Sequence, residues 1–113
     1  MYTSNYWTHG SDPLAVSIAG KCPIWYSGGR EYKKLAPKLW FFKEWKDNHD
    51  NDFYVKCYNR EVLSVLNPEE VFKELGEDSI LLCWEGPNSF CHRHLVAAWL
   101  ERSLNIVVPE IGK

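Results

Sequence analysis

The chain alternates between short runs that are apolar at every position and longer stretches whose apolar residues recur at helical spacing. Leu14-Ala15-Val16-Ser17-Ile18-Ala19 closes at Gly20 and reads as a first buried strand. Ser79-Ile80-Leu81-Leu82-Cys83-Trp84 shows no polar alternation, the pattern of a strand covered on both faces in a parallel sheet. Ile106-Val107-Val108 reads as a last short strand. Pro37 suits the first turn of a helix running through Lys46, and the polar run Asp47–Asp52 breaks it. Phe53, Cys57, Val62 and Leu66 predict a helix over 53–66, although the Tyr and Val content there also fits a strand. Asn67 as cap, Pro68 at the first position and Glu69-Glu70 in the first turn start the next helix, which Gly76 ends. Gly86-Pro87-Asn88-Ser89 turns the chain into a helix over about 90–103. Its stretch Leu95–Leu100 is apolar on nearly every face and therefore buried. Residues 1–11 carry no period and read as an irregular or edge lead-in.

Strands separated by helical segments predict a small α/β fold, a mostly parallel sheet with flanking helices in Rossmann-like layering. At 113 residues the chain is expected to be one domain over 1–113, with its core in 12–109. No run approaches the roughly 18 apolar residues of a membrane span. The start Met1–Trp7 lacks the basic and apolar segments of an export signal, so the expected compartment is the cytoplasm. In that compartment Cys22, Cys57, Cys83 and Cys91 are expected as free thiols or metal ligands.

A net charge of −2 gives no global attraction to nucleic acid. The segment 21–38 differs: Lys21, Arg30, Lys33, Lys34 and Lys38 face a single acid, Glu31. Trp25, Tyr26 and Tyr32 interleave with these cations, and Gly28-Gly29 makes the segment a loop. Stacking faces beside cations are how single-stranded nucleic acid or a nucleotide is held. Trp25, Tyr26, Gly28, Arg30 and Lys33 are therefore the candidate substrate-binding residues. The competing reading makes the rings core plugs and the lysines a solvated face.

The chemistry concentrates at 83–94. Glu85 falls at the carboxyl end of a buried strand, where ligands gather in open parallel sheets. Cys91, His92 and Arg93 fall in the first turn of the following helix, whose free N–H groups and dipole favour anions. There a thiolate is stabilised, and an arginine can hold a phosphate or carboxylate with two hydrogen bonds. The candidate catalytic set is Glu85, Cys91, His92 and Arg93. The plainer alternative pairs Glu85 with Arg93 as an internal ion pair and buries Cys91 as an inert core residue.

Leu81-Leu82-Cys83-Trp84-Glu85 followed by Cys91-His92-Arg93 resembles the hallmark of a bacterial family catalogued as domain of unknown function 488. Val16–Ala19, Trp25-Tyr26-x-Gly28, Leu35-Ala36-Pro37 and Asn67–Val71 resemble its other segments, so the likeness runs from about Asp12 to Val108. The resemblance implies a site at Glu85 and Cys91-His92-Arg93 without naming a reaction.

Other chemistries fit less well. A metal at Cys91, His92 and His94, with Cys83 or Cys22, lacks both a C-x-x-C pair and i, i+4 spacing, so no cofactor is expected. A cysteine-phosphatase loop fails because Phe90, not Arg, stands seven residues after Cys83. A dinucleotide fingerprint is absent. Three readings remain: an enzyme on an anionic, nucleotide-like or nucleic-acid substrate, a non-catalytic module binding such a ligand or a protein, and a structural strand-to-helix turn. No membrane partner is expected.

Overall fold

The three runs that anchor the fold are Tyr2–Asn5 (β1), Ala15–Ser17 (β2) and Ile80–Cys83 (β3). In the computed structural model, which describes residues 1–26, 29–86 and 88–112, they form one parallel sheet in the order β1-β3-β2. Ile80 is level with Tyr2 on one side and Ala15 on the other, and Leu82 with Ser4 and Ser17. All four residues of β3 are buried, as expected of a central strand covered on both faces.

Of the two readings of residues 1–11, irregular or edge, the structure takes the edge one: the lead-in holds an edge strand, β1, followed by a one-turn helix, Tyr6–His9 (α1). Its polar side chains hid it, yet Thr3, Ser4 and Asn5 are all buried and partnered. Ser4 Oγ lies 2.6 Å from His9 Nδ1, and Asn5 Oδ1 accepts from Thr8 N at 3.0 Å as the cap of α1. Thr3 Oγ1 donates to Glu110 at 2.7 Å.

The expected last strand at 106–108 is absent. Strand-like pairing occurs slightly later, where Thr3 N donates to Pro109 O at 3.0 Å and Ile111 N to Thr3 O at 2.8 Å. The C-terminal segment thus covers the open edge of β1. On the other edge, Ser17 N donates to Arg30 O and Tyr32 N to Ser17 O, so each edge strand is partly covered, at Thr3 and at Ser17.

Four longer helices follow the expected plan with shifted ends: Leu39–Asn48 (α2), Asn51–Glu61 (α3), Pro68–Leu75 (α4) and His92–Leu104 (α5). The segment 53–66, which also fitted a strand, is α3 continued by a 3-10 turn at Leu63–Val65. The polar run after α2 does break the chain. His49 takes the left-handed conformation (φ 52°) and Asp50 caps α3 through Phe53 N at 3.1 Å. Asn67 caps α4 through Glu69 N and Glu70 N, and Gly76 ends it at φ 95°.

Alternation along the strands divides the core. Val16 and Leu81 face a large cluster built with Phe41, Tyr58, Val96 and Leu100 of α2, α3 and α5. Ala15, Ile80 and Leu82 face a smaller one with Tyr6 and Tyr26. The sheet is thus covered on both faces, and its carboxyl-terminal edge carries the turns after β2 and β3. No described helix is long and apolar enough to cross a membrane.

Candidate active-site cleft

The carboxyl ends of β2 and β3 open into a cleft of about 440 Å³. Its walls include Phe42, Leu39, Pro37 and Trp84, with Lys21, Glu85, Cys83 and His92 among them. Trp84 Nε1 donates to Lys21 O at 2.7 Å, which ties the turn after β2 to the end of β3. Glu85 also borders a narrow adjoining cavity with Trp45, Tyr54, Phe90, Cys91 and His92. Burial, and then the nearby Glu85 charge, push the Tyr54 hydroxyl well above its ordinary pKa. Among the described residues neither the Glu85 carboxylate nor the Lys21 ammonium has a hydrogen-bond or ion-pair partner.

Arg93 is placed differently from the anion holder expected of it. It is fully buried, and all five of its N–H donors are engaged by protein acceptors. Nε and NH2 donate to Glu110 Oε1 and Oε2 at 2.9 and 3.2 Å. NH1 donates to Cys83 Sγ at 3.1 Å and to Glu85 O at 2.8 Å, and NH2 also to Gly86 O at 3.0 Å. The expected Glu85–Arg93 ion pair is therefore an Arg93–Glu110 pair, and Glu85 offers Arg93 only its backbone carbonyl. Holding two successive carbonyls fixes the turn that leaves the Glu85 side chain at the cleft. Partial burial would raise the Glu110 carboxyl, but hydrogen bonds from Arg93 and Thr3 outweigh it and hold the group below the usual carboxylate range.

His92 is buried at the start of α5, and its Nε2 lies 2.7 Å from Ile18 O. A carbonyl oxygen only accepts, so Nε2 carries the proton and the Nδ1 lone pair is left facing Cys91 Sγ at 3.8 Å. Burial, reinforced by the charge of Arg93, lowers its pKa to about 4 against the opposing pull of the Ile18 carbonyl. The ring is neutral near pH 7, with Nδ1 as a fixed acceptor.

The expectation that all four cysteines are free thiols or metal ligands is corrected at two positions. Cys83 and Cys91 are joined by a disulfide, while Cys22 and Cys57 are free. The strand end and helix start place these two sulfurs together, which spacing without C-x-x-C did not suggest. Cys83, Cys91 and His92 are also a group whose donor atoms all lie within 4.8 Å of one another. His94, named with Cys91 and His92 as a metal candidate, is not in that group; its Nδ1 turns toward Glu110 Oε1 at 3.9 Å.

The 21–38 loop divides. Lys21 reaches the cleft, whereas Trp25, Tyr26 and Arg30 line a separate depression with Asp12 and Ala15. Tyr26 is a core plug whose hydroxyl donates to Arg30 O at 2.8 Å and Ala15 O at 3.2 Å. Arg30 NH2 donates to Glu74 O at 2.7 Å, and Lys33 pairs with Glu31 at 3.1 Å. Gly28 lies outside the described residues. Trp84, Phe42 and Glu110 were missed as site residues. A Trp directly before Glu85 at a strand end was the available signal for the first; nothing in the sequence connects Glu110 to an arginine 17 positions earlier.

A family described as the Active DUF488-N3 subclade matches residues 18–104, a span that contains both β3 with Glu85 and the Cys91-His92-Arg93 turn. No curated protein and no solved structure matches the chain.

Proposed function

The chain belongs to the DUF488 family, in its active N3 subclade, and on that premise we propose an enzyme that acts on an anionic, nucleotide-like substrate in the cleft at the ends of β2 and β3. The observation that carries this reading is the unpaired Glu85 carboxylate in a cleft that also holds Lys21, Trp84 and His92. A volume of about 440 Å³ is of the size that holds a small ligand. Trp84 and Phe42 offer flat apolar surfaces for a base, and Lys21 offers a cation for a phosphate. Glu85 transfers the proton, and neutral His92, held by the Ile18 carbonyl, forms part of the wall beside it. Arg93 acts as a positioning residue through the carbonyls of Glu85 and Gly86. Cys91, bonded to Cys83 in this form, offers no thiolate for attack. The test is incubation with nucleoside mono-, di- and triphosphates and short oligonucleotides, followed by chromatographic product analysis. Glu85→Gln should slow turnover by about 100-fold or more without lowering the melting temperature. Equal rates in wild type and Glu85→Gln, or no nucleotide consumed, would refute the assignment.

A second reading, a non-catalytic module for single-stranded nucleic acid, is favoured by one further observation. Trp7, Trp25 and Trp84 are 68%, 50% and 40% exposed, with the Trp7 ring 5.6 Å from Trp25 and 6.5 Å from Trp84. Such adjacent rings suit stacking of successive bases. In this reading Trp7→Ala weakens binding of a labelled oligonucleotide by about tenfold, measured by fluorescence anisotropy, and no product appears.

A further inference from the structure

The Cys83, Cys91 and His92 group has a chemistry that the proposed proton transfer does not use. Two sulfurs and one imidazole nitrogen, on a strand end and the adjoining helix start, lie within 4.8 Å of one another. All three residues are buried, and Cys83 and His92 both reach the cleft wall.

The imidazole is already arranged as a metal ligand. Its Nε2–H is fixed on the Ile18 carbonyl at 2.7 Å, which sets the ring orientation and turns the Nδ1 lone pair toward the sulfurs. A backbone carbonyl on the far ring nitrogen is the usual outer support of a metal-bound histidine. The Cys83 sulfur has outer support as well, because Arg93 NH1 donates to it at 3.1 Å. That contact stabilises a thiolate, the form a metal requires. The Cα atoms of Cys83 and Cys91 are 7.2 Å apart, which leaves room for the two sulfurs to separate around an ion.

We propose that reduction of the Cys83–Cys91 disulfide converts this group into a three-ligand site for a zinc-class divalent cation, with the fourth position open to the cleft. Two thiolates and an imidazole are the borderline-soft donor set that zinc favours, and three protein ligands leave a coordination position for water or substrate. The disulfide and the metal exclude each other, since each needs the same sulfur electron pairs.

The conversion balances with a dithiol reductant. One of its thiolates attacks a disulfide sulfur, the S–S bond breaks, and a mixed disulfide forms with the release of one protein thiol. The second reductant thiolate displaces the other protein thiol and leaves as a cyclic disulfide. Two electrons and two protons have then passed to Cys83 and Cys91. Binding of the cation releases both protons to solvent, and His92 contributes only its lone pair.

The experiment uses the intact chain in two forms, reduced under argon and oxidised, each mixed with one equivalent of Co²⁺ and then with Zn²⁺. The reduced protein should bind one Co²⁺ with intense sulfur-to-cobalt charge-transfer absorption and tetrahedral d–d bands, and Zn²⁺ should abolish both. The oxidised protein should show neither. X-ray absorption of the zinc-loaded wild type should find two sulfurs at about 2.3 Å and at least one nitrogen, a readout that needs no variant. Cys91→Ser should lower the charge-transfer intensity by about half, with circular dichroism confirming that it folds. No cation retained by the reduced protein after desalting would overturn the proposal. So would equal binding by the oxidised form, or a zinc shell without two sulfurs. These outcomes are independent of nucleotide turnover, so the site can fail while the Glu85 reading stands, and the reverse.

Discussion

Glu110 grips Arg93 with both carboxylate oxygens, Oε1 on Nε at 2.9 Å and Oε2 on NH2 at 3.2 Å. The guanidinium has no exposed surface, so this pair joins the C-terminal segment to the start of α5 and, through Thr3, to β1. Removing one partner leaves a buried charge uncompensated, which costs far more than a surface ion pair. Glu110→Ala should therefore destabilise the fold by about 3 kcal/mol in urea unfolding. A loss below about 0.5 kcal/mol, the scale of exposed pairs, would show that Arg93 does not depend on Glu110.

The same pair sets an acid limit. Arg93 and Thr3 hold the Glu110 carboxyl below its unfolded value near 4.5, so ionised Glu110 stabilises the folded state. The sign follows from the depressed folded pKa: the contribution is complete above about pH 4.5 and disappears as pH falls through the folded value. Melting curves between pH 3 and 6 should show wild type losing stability more steeply than Glu110→Gln below pH 4.5. Parallel curves would contradict the linkage.

The strands and helices were largely legible because burial imposes a simple code on them. Ile80–Cys83 had to be a two-sided strand, and Asn67-Pro68 had to begin a helix, since each pattern has one cheap structural solution. β1 was not legible. Thr3, Ser4 and Asn5 enter the sheet with polar side chains whose partners, Glu110 and His9, are fixed only by the tertiary fold. The position of Glu85 and His92 at one strand-to-helix edge was readable from order along the chain. The partners of the Arg93 guanidinium were not, because the decisive one, Glu110, lies past the expected last strand at 106–108 and meets Arg93 only in the tertiary fold. Cys83 and Cys91 followed the same rule: their closeness is a property of the turn between them.

The Cys83–Cys91 bond closes a short loop with a sequence separation of 8. Chain entropy assigns a loop of that length about 2–3 kcal/mol of stabilisation. Reduction in metal-free buffer should lower unfolding stability by that amount, and peptide mapping without reductant should recover the two cysteines on one linked fragment. Unlinked Cys83 and Cys91 peptides from the non-reduced protein would contradict the pairing.

His92 should show a single tautomer. Its Nε2–H is committed to the Ile18 carbonyl and burial holds its pKa near 4, so the ring stays neutral across the physiological range. Nitrogen-15 spectra of the oxidised, metal-free protein should report a protonated Nε2 and a bare Nδ1, unchanged from pH 5.5 to 8. A titration centred near 6.5 would mean that the ring is exposed and the tautomer unassigned.

We propose that a nucleotide-like anion binds in the cleft at the carboxyl ends of β2 and β3. Chemical-shift mapping of the uniformly nitrogen-15-labelled protein with added nucleoside phosphates tests it most directly. Shifts should concentrate at Lys21, Trp84, Glu85 and His92 and weaken when Lys21 is changed to Ala. Shifts confined to the depression around Trp25 and Arg30, or none at millimolar nucleotide, would contradict it.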